Sequence, residues 1–334
     1  MTHMVHRRFR LLALPFALVL SIMAASPFWQ ARAQSDYPNR PVRIVVGFAA
    51  GGGNDIFGRL VGQKLSQLIA QPVVIENRPG AGGRLAAEFV SHQTADGYTL
   101  LLGASGAMSI AYAIYPDLPY KPTESFIPLA MIASFPLFVV IAADHPAGSI
   151  KELVAWAKDH PDKANYATTS PAFTIATELL KLKSGMPGVA IPYRSSNDMI
   201  LSVIGGQTMI AIADGPPVVP MVKAGKVKAV AVTGAERSGE LPDVPSMTEA
   251  GYPDVDIHLW SGVFAPKATP PAIVARLEKS LREAIGDPSV SEKLKAMAVV
   301  PGDGTAPDEF KRRIDADIAK YKDIVKSANL HFEE

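Results

Sequence analysis

The sequence predicts an α/β fold of two lobes, each built from a sheet covered by helices. Short β-rich runs alternate with helical patterns through most of the chain, which is typical of parallel sheets wrapped by helices. Two long extended segments, 129–138 and 255–264, stand where this pattern changes character. A chain that leaves one block, builds a second and returns through such crossover strands forms a cleft suited to small ligands. We therefore predict a first lobe of residues 36–135 and 258–334 and a second lobe of residues 136–257.

The first block contains three predicted strands and two predicted helices. The strands are VRIVVGF (42–48), PVVIEN (72–77) and YTLLLG (98–103). Between the first two strands, apolar residues from Ile56 to Ile69 recur at helical spacing, and Asn54 or Asp55 is expected to cap that helix. A glycine-rich turn then leads into the second helix, in the stretch GAGGRLAAEFVSH.

The second block repeats the alternation, and the chain ends in two helices. Ser149 and Glu152 have the spacing of a capping box, which predicts a helix start. Pro270 and Pro271 suit the first turn of another helix. The other predicted strands cover residues 136–143, 163–170, 189–194, 208–215, 227–234 and 256–267. The other predicted helices cover residues 172–185, 196–206, 270–287 and 306–328.

The first 34 residues have the three parts of a secretory signal peptide. A basic end precedes an apolar run from Leu11 to Ala25, and Ala31-Arg32-Ala33 supplies small residues for cleavage. A membrane anchor is disfavoured because the apolar run is shorter than the roughly 20 residues that span a bilayer. We expect cleavage near Ala33 or Gln34 and export to the periplasm.

The composition excludes several classes of function. Removal of residues 1–33 leaves 29 basic and 32 acidic residues, and a slightly acidic protein is a poor nucleic-acid binder. The absence of cysteine excludes disulfides, thiol catalysis and thiolate metal sites. The seven histidines show no metal-binding spacing. We therefore expect no metal, no cofactor and no nucleic-acid partner.

The glycine-rich stretch GFAAGGGND, residues 47–55, joins a strand to a helix and has four possible interpretations. A phosphate loop requires a Lys and a hydroxyl that are missing here. A dinucleotide loop requires a third glycine that is also missing, although Glu76 lies where a ribose-binding acid would sit. Backbone N–H groups at the helix start can instead hold a carboxylate. The glycines can also simply turn the chain.

Asp55 complicates an anion site because a carboxylate repels another. We expect Asp55 to cap the helix, to pair with Arg59 one turn on, or to accept a hydrogen bond from the ligand.

Several longer motifs occur in an order that resembles a known family. They include YPNRPVRIVVGFAAGGGNDIFGRLVGQKL, QPVVIENRPGAGG, DGYTLLLG, NYAT and GGQTMIAIADGPPVVPMVKAGKVKAVAVTG, followed by LPDVPSMTEAGYP and WSGVFAPKATP. Over nearly its full length the chain resembles the Bug or TctC-like periplasmic solute-binding proteins of tripartite tricarboxylate transporters.

The resemblance implies a periplasmic binding protein fold, a two-lobed venus-flytrap of type II-like form with two crossover strands. It implies a monomeric receptor, not an enzyme, that captures a small organic carboxylate and delivers it to TctA- and TctB-like membrane subunits. Carried over onto this sequence, the implied binding residues are Phe48, Ala49, Ala50, Gly51, Gly52, Asn54, Asp55, Ala104, Ser105, Thr168, Thr169, Ser170 and Asp214.

The sequence departs from the family pattern at three places. Ala49-Ala50 replaces a frequent Pro-Pro pair, and the turn TTSPAF in the second lobe lacks the usual glycines and histidine. Arg84 stands where a small polar residue is common; it is either a partner for a second carboxylate or a solvated helix residue.

Further side chains have two possible roles each. Phe173 and Met108 line an apolar side of the cleft or belong to the core, and Trp260 walls the cleft or packs at the hinge. Tyr193-Arg194 reaches the ligand or presents a surface cation. Two rival functions also stay open: a sensor component that signals its bound state, and a secreted hydrolase that uses Ser105 or Ser170.

Overall fold

The computed structural model describes residues 37–115, 117–302 and 307–327. The predicted signal peptide, residues 1–34, lies outside the described residues. The chain from Arg40 onward forms one compact unit, and the fold described below belongs to that unit. Within the described ranges, no helix combines the length and the apolar character needed to cross a bilayer.

The described residues form ten strands. They are β1 (Val42–Val46), β2 (Val73–Asn77), β3 (Thr99–Ala104), β4 (Phe126–Ala142), β5 (Asn165–Thr168), β6 (Val189–Pro192), β7 (Ile210–Asp214), β8 (Val227–Val232), β9 (His258–Pro266) and β10 (Val300–Pro301).

The described helices are α1 (Gly53–Ile69), α2 (Arg84–Ser91), α3 (Ala111–Ile114), α4 (Ile150–Asp159), α5 (Pro171–Ser184), α6 (Ser196–Ile204), α7 (Gly215–Lys223), α8 (Pro271–Gly286), α9 (Pro288–Lys295) and α10 (Pro307–Ser327). A short 3-10 turn at Ala81–Gly83 precedes α2, and a π-helical turn at Gly106–Ile110 precedes α3.

Two sheets share the long strand β4, which explains how two lobes form from one chain. The first sheet has the order β2-β1-β3-β9-β4, with β10 at the edge of β4. The second sheet continues as β4-β7-β5-β6, with β8 also on β4. Strand β4 pairs with β9 through Pro136 and with β7 from Leu137 onward. We call the first sheet and its helices the first lobe, and the second sheet with α4 to α7 the second lobe.

The α/β fold with two crossover strands is confirmed, and the sheets are mixed in direction. Strand β1 runs parallel to β2 and β3, and β5 runs parallel to β6 and β7. The crossover strands β4 and β9 run antiparallel to each other and to the strands beside them. Returning chain segments of this kind can pair directly, without a covering helix.

The core of the first lobe lies where β9 packs against α10. Trp260 is fully buried and packs edge-on against Phe310, with ring centroids 5.0 Å apart. Its indole Nε1 donates to Asp317 Oδ2 at 2.6 Å, which satisfies the polar end of the ring. Met108 belongs to the same cluster, so of its two possible roles the structure assigns it to the core.

Two helix starts show how far local sequence determined the structure. The predicted Ser149 cap of α4 is confirmed, because the Ser149 side chain accepts from the Glu152 backbone N–H at 3.2 Å. The Glu152 side chain accepts from the Gly148 N–H at 2.7 Å, and not from the Ser149 N–H that would complete a capping box. The predicted cap of α1 is wrong: the N-cap is Gly52, and no side chain caps it. Asn54 and Asp55 are the second and third residues of the helix, and their side chains bind other partners, described below.

Three of the described helices lie where the sequence predicts none, and the first of them is the short α3 (Ala111–Ile114). Helix α7 carries Pro216, Pro217 and Pro220, and the first two prolines occupy its first turn, where a missing backbone N–H costs little. Helix α9 is only eight residues long and begins at Pro288, with Asp287 accepting from the Ser289 N–H as its cap.

Candidate functional site

The loop between β1 and α1 places the start of a helix at the cleft. Gly51 adopts a φ of +85°, a conformation that L side chains rarely take. The next residue, Gly52, is the uncapped N-cap of α1. The backbone N–H groups of the first helical turn have no intrahelical acceptor, and they give this end of the helix a partial positive charge.

Asp55 holds this loop in place and is fully engaged within the first lobe. Its Oδ2 accepts from the Gly51 N–H at 3.0 Å and from Arg59 Nε at 2.9 Å, and its Oδ1 accepts from Asn77 Nδ2 at 2.9 Å. Burial opposes ionisation, but these hydrogen bonds outweigh it and lower the pKa of Asp55. The predicted pair with Arg59 is confirmed.

The carboxyl end of the first sheet is tied to β9 by two buried hydrogen bonds. Asn54 Oδ1 accepts from Ser261 Oγ at 2.6 Å. The Nδ2 end of the Asn54 amide can then donate a hydrogen bond to another group. Ser105 Oγ accepts from the backbone N–H of Trp260 at 3.2 Å. These bonds fix both predicted site residues at the ends of their elements.

The turn after β5 presents two hydroxyl groups that have no partner. Thr168 Oγ1 shares a hydrogen bond with Thr174 Oγ1 at 2.8 Å. Thr169 Oγ1 and Ser170 Oγ, by contrast, are buried and unpartnered. Ser170 is the N-cap residue of α5, yet its side chain makes no capping bond. A buried hydroxyl without a partner is costly, so such groups commonly mark a binding position.

Asp214 carries a third buried atom that has no hydrogen-bond partner among the described residues. It ends β7, immediately before α7, and its Oδ1 is buried with no hydrogen-bond partner. Complete burial raises the pKa of Asp214 to about 6, although a hydrogen bond from the Ser196 side chain partly opposes this. The carboxyl group is therefore easier to protonate than an ordinary aspartate.

Among the described residues, one further buried side-chain atom is unpartnered, and it lies away from these groups. This atom is His145 Nε2, whose ring packs against Trp156 with centroids 4.7 Å apart. The other three, Thr169 Oγ1, Ser170 Oγ and Asp214 Oδ1, follow the carboxyl ends of β5 and β7, neighbouring strands of one sheet.

Glycines of the first lobe allow the second lobe to approach closely. A Cβ placed on Gly53 would lie 1.8 Å from Asp214 Oδ2, and one on Gly52 would lie 3.3 Å from Ser195 Cβ. A Cβ on Gly82 would lie 2.9 Å from Ser170 Cβ. The glycine loop and the turn before α2 thus contact the unpartnered groups of the second lobe, and the lobes are closed in this structure.

Two adjoining cavities remain between the lobes and share Phe48. The inner cavity has a volume of about 10 Å³ and is lined by Phe48, Asn54, Ala104, Ser105, Gly106, Phe135, Ser170, Ala172, Phe173, Asp214, Leu259 and Trp260. The outer cavity has a volume of about 330 Å³ and is lined by Gly47, Phe48, Pro79, Gly80, Ala81, Gly82, Thr169, Tyr193 and Arg194.

The predicted site residues therefore divide into two groups. Eight of them line the two cavities: Phe48, Asn54, Ala104, Ser105, Thr169, Ser170, Phe173 and Asp214. The remaining seven stand outside the lining: Ala49, Ala50, Gly51, Gly52, Asp55, Arg84 and Thr168. Arg84 is engaged locally, since it donates to the Ala81 carbonyl at 3.1 Å and stacks over the Tyr115 ring at 4.2 Å.

Sequence reasoning left several cleft residues out of the site. Ser195 and Ser196 form the start of α6, where Ser196 meets Asp214 and Ser195 meets the glycine loop. For Arg194 the sequence leaves two alternatives, a ligand contact or a surface cation, and Arg194 is not among the predicted site residues. Because parallel strands end at one edge, the position of these residues after β6, beside β5, was the available signal.

Another cavity, about 610 Å³, lies on the other face of the crossover strands, and none of the predicted site residues lines it. Ser134, Pro136 and His258 line this cavity, whereas Phe135 and Leu259, which lie next to them along the same strands, line the inner cavity. Successive strand residues point to opposite faces. We place the site at the two interlobe cavities because the unpartnered groups are there.

The sequence and the fold agree with one family of proteins. Residues 57–330 match the family model described as "TctC: Tripartite tricarboxylate transporter family receptor". The chain belongs to this family. Members of the TctC family are solute-binding receptors.

Similar proteins with known names or structures support this assignment. Protein BugT of Bordetella pertussis is 32% identical over 312 residues, covering 92% of this chain and 95% of BugT. The solved structure of R. palustris Rpa4515 with adipate has a TM-score of 0.85 and 32% identity, covering 89% of this chain and 99% of that one. MatC (Rpa3494) from Rhodopseudomonas palustris with bound malate has a TM-score of 0.83 and 30% identity, covering 86% of this chain and 100% of that one.

Proposed function

We propose that this chain is an extracytoplasmic receptor that captures a small organic carboxylate between its lobes. The observation that carries the proposal is the set of three buried, unpartnered groups: Thr169 Oγ1, Ser170 Oγ and Asp214 Oδ1. Two hydroxyl donors suit a carboxylate, and they act across the cleft from the uncapped start of α1. Adipate and malate, the ligands of two solved relatives, are both dicarboxylates.

Asp214 has a different role in this proposal. A carboxylate beside the ligand's carboxylate would repel it, so Asp214 accepts a hydrogen bond from a hydroxyl or amino group of the solute, or shares a proton with it. The raised pKa of Asp214, about 6, favours the protonated form that a neighbouring anion requires.

The receptor would then deliver its solute to the membrane subunits of a tripartite transporter. The family description and the signal-like features of residues 1–34 support this placement in the periplasm. Closure of the two lobes would tell the membrane subunits that the receptor carries its solute, because a partner can bind the closed form differently from the open form.

A thermal-shift screen of the processed protein tests the proposal. The panel contains mono-, di- and tricarboxylates, amino acids and aromatic acids, with neutral sugars as controls. At least one carboxylate should raise the melting temperature, because ligand binding to the folded state stabilises it by mass action. The proposal is wrong if no carboxylate does so while an ester is hydrolysed by a route that Ser105→Ala or Ser170→Ala abolishes.

A further inference from the structure

Arg194 occupies a defined position at the outer cavity. It follows β6, where the backbone N–H of Tyr193 donates to the Thr168 carbonyl at 2.7 Å and extends the parallel pairing with β5. This pairing sets Arg194 beside the turn that carries Thr169. Arg194 is exposed, and both residues line the cavity of about 330 Å³.

Arg194 differs from two arginines of the first lobe near the same cavity. Arg78 pairs with Glu76 and lies over the Phe89 ring at 3.6 Å. Arg84 lies over Tyr115 and donates to a backbone carbonyl. Arg194 makes no hydrogen bond, ion pair or ring contact with any other residue that the structure describes. Its guanidinium group is therefore available to a ligand.

The charges around the two cavities are unequal. Of the residues that line them, Arg194 is the single cation, and Asp214 is the single acid. The hydroxyl groups of Thr169 and Ser170 can hold one carboxylate, but they supply no charge for a second. An arginine fork matches a carboxylate with two parallel hydrogen bonds.

We propose that Arg194 binds a second acidic group of the solute and so makes the cleft selective for dicarboxylates over monocarboxylates. The inference rests on the proposed function, since it requires the first carboxylate to lie near Thr169 and Ser170. The solute then extends from the turn that carries Thr169 and Ser170 through the outer cavity towards Arg194, and Phe48 and Tyr193 flank its carbon chain.

Calorimetric titrations with matched acids test this inference. The panel pairs succinate, glutarate, adipate and malate with monocarboxylates of the same carbon number. Wild-type protein should bind its best dicarboxylate at least tenfold more tightly than the matched monocarboxylate. Arg194→Gln should remove most of that preference, lowering dicarboxylate affinity roughly tenfold, while monocarboxylate affinity changes less than about twofold. Arg194→Lys should retain part of the preference.

Arg84→Gln is the matched control, because Arg84 is a nearby arginine outside the cavity lining, and it should keep the preference. An unchanged preference in Arg194→Gln overturns the inference, as does an equal loss for both acids. Wild-type binding of monocarboxylates alone also overturns the inference but leaves the proposed function standing. If no acid of any class binds, the proposed function itself fails.

Discussion

Asp214 of the second lobe lies directly against Gly53, the first residue of α1 in the first lobe. A Cβ on Gly53 would stand 1.8 Å from Asp214 Oδ2 and 3.0 Å from its Cγ. Position 53 requires glycine because a Cβ has no room there. Backbone conformation is not the reason, since the φ of Gly53 lies outside the left-handed region. The buried carboxyl group and the positive end of the α1 dipole thus meet because residue 53 has no side chain.

Gly53→Ala should weaken ligand binding without unfolding the protein. Alanine favours a helix, but its methyl group collides with Asp214 only when the lobes close. We expect affinity for the best carboxylate to fall at least roughly tenfold, about 1.4 kcal/mol, in calorimetric titrations. Gly286→Ala, at the end of α8 with no atom near its Cβ, is the control and should bind normally. Normal binding by Gly53→Ala would show that this contact does not accompany closure.

Asp214→Asn should change how stability depends on pH. The pKa of Asp214 is about 6 in the folded protein against an ordinary 3.8, so the folded state binds more protons between these values. Stability therefore falls as pH rises from about 4 to 6, by at most roughly 3 kcal/mol from this group. The melting temperature of Asp214→Asn relative to wild type should rise by a few degrees between pH 4 and pH 7. A difference independent of pH would contradict the assigned ionisation.

Asp55→Asn should lower stability more than it lowers affinity. Asp55 is buried, its oxygens accept from Gly51, Arg59 and Asn77, and it lines neither cavity. We expect a loss of roughly 2 kcal/mol in the free energy of unfolding, measured with denaturant. The Asp55 carboxylate stabilises the fold at pH values above about 4, and this stabilisation is lost as the pH falls through the lowered pKa of Asp55.

Asp315→Asn supplies the control for Asp55. Asp315 forms an exposed pair with Lys311 on α10, so the change should cost less than about 0.5 kcal/mol. Intact stability with a large loss of affinity in Asp55→Asn would instead place Asp55 in contact with the ligand.

Periodicity and turn chemistry predicted most of the elements. The alternation around β1, α1 and β2 is a local property, and so is the Ser149 cap of α4. The cap of α1 was mispredicted because Asn54 binds Ser261, a residue 207 positions away in the chain, and Asp55 is held by Asn77. Local propensity carries no information about such partners.

The candidate site was only partly visible in the sequence. Thr169, Ser170 and Asp214 were identified through the resemblance, but their lack of partners depends on three-dimensional packing. The sequence does not rank Arg84 against Arg194, because the first follows a glycine turn, the second follows a predicted strand, and both positions are compatible with a ligand contact or with a solvated side chain. The structure separates them: Tyr115 stacks on Arg84, whereas Arg194 stands at the cavity without a described partner.

If the cleft binds a carboxylate through Thr169 and Ser170, the double variant Thr169→Val, Ser170→Ala should lose carboxylate affinity. Both hydroxyls are unpartnered, so the variant should keep or slightly raise its unliganded melting temperature. Thr168→Val is the control; it loses the bond to Thr174 and should lose stability but keep affinity. A binding role for these two hydroxyls predicts at least a roughly tenfold loss of carboxylate affinity in the double variant, measured by calorimetry. Wild-type affinity in that variant would contradict it.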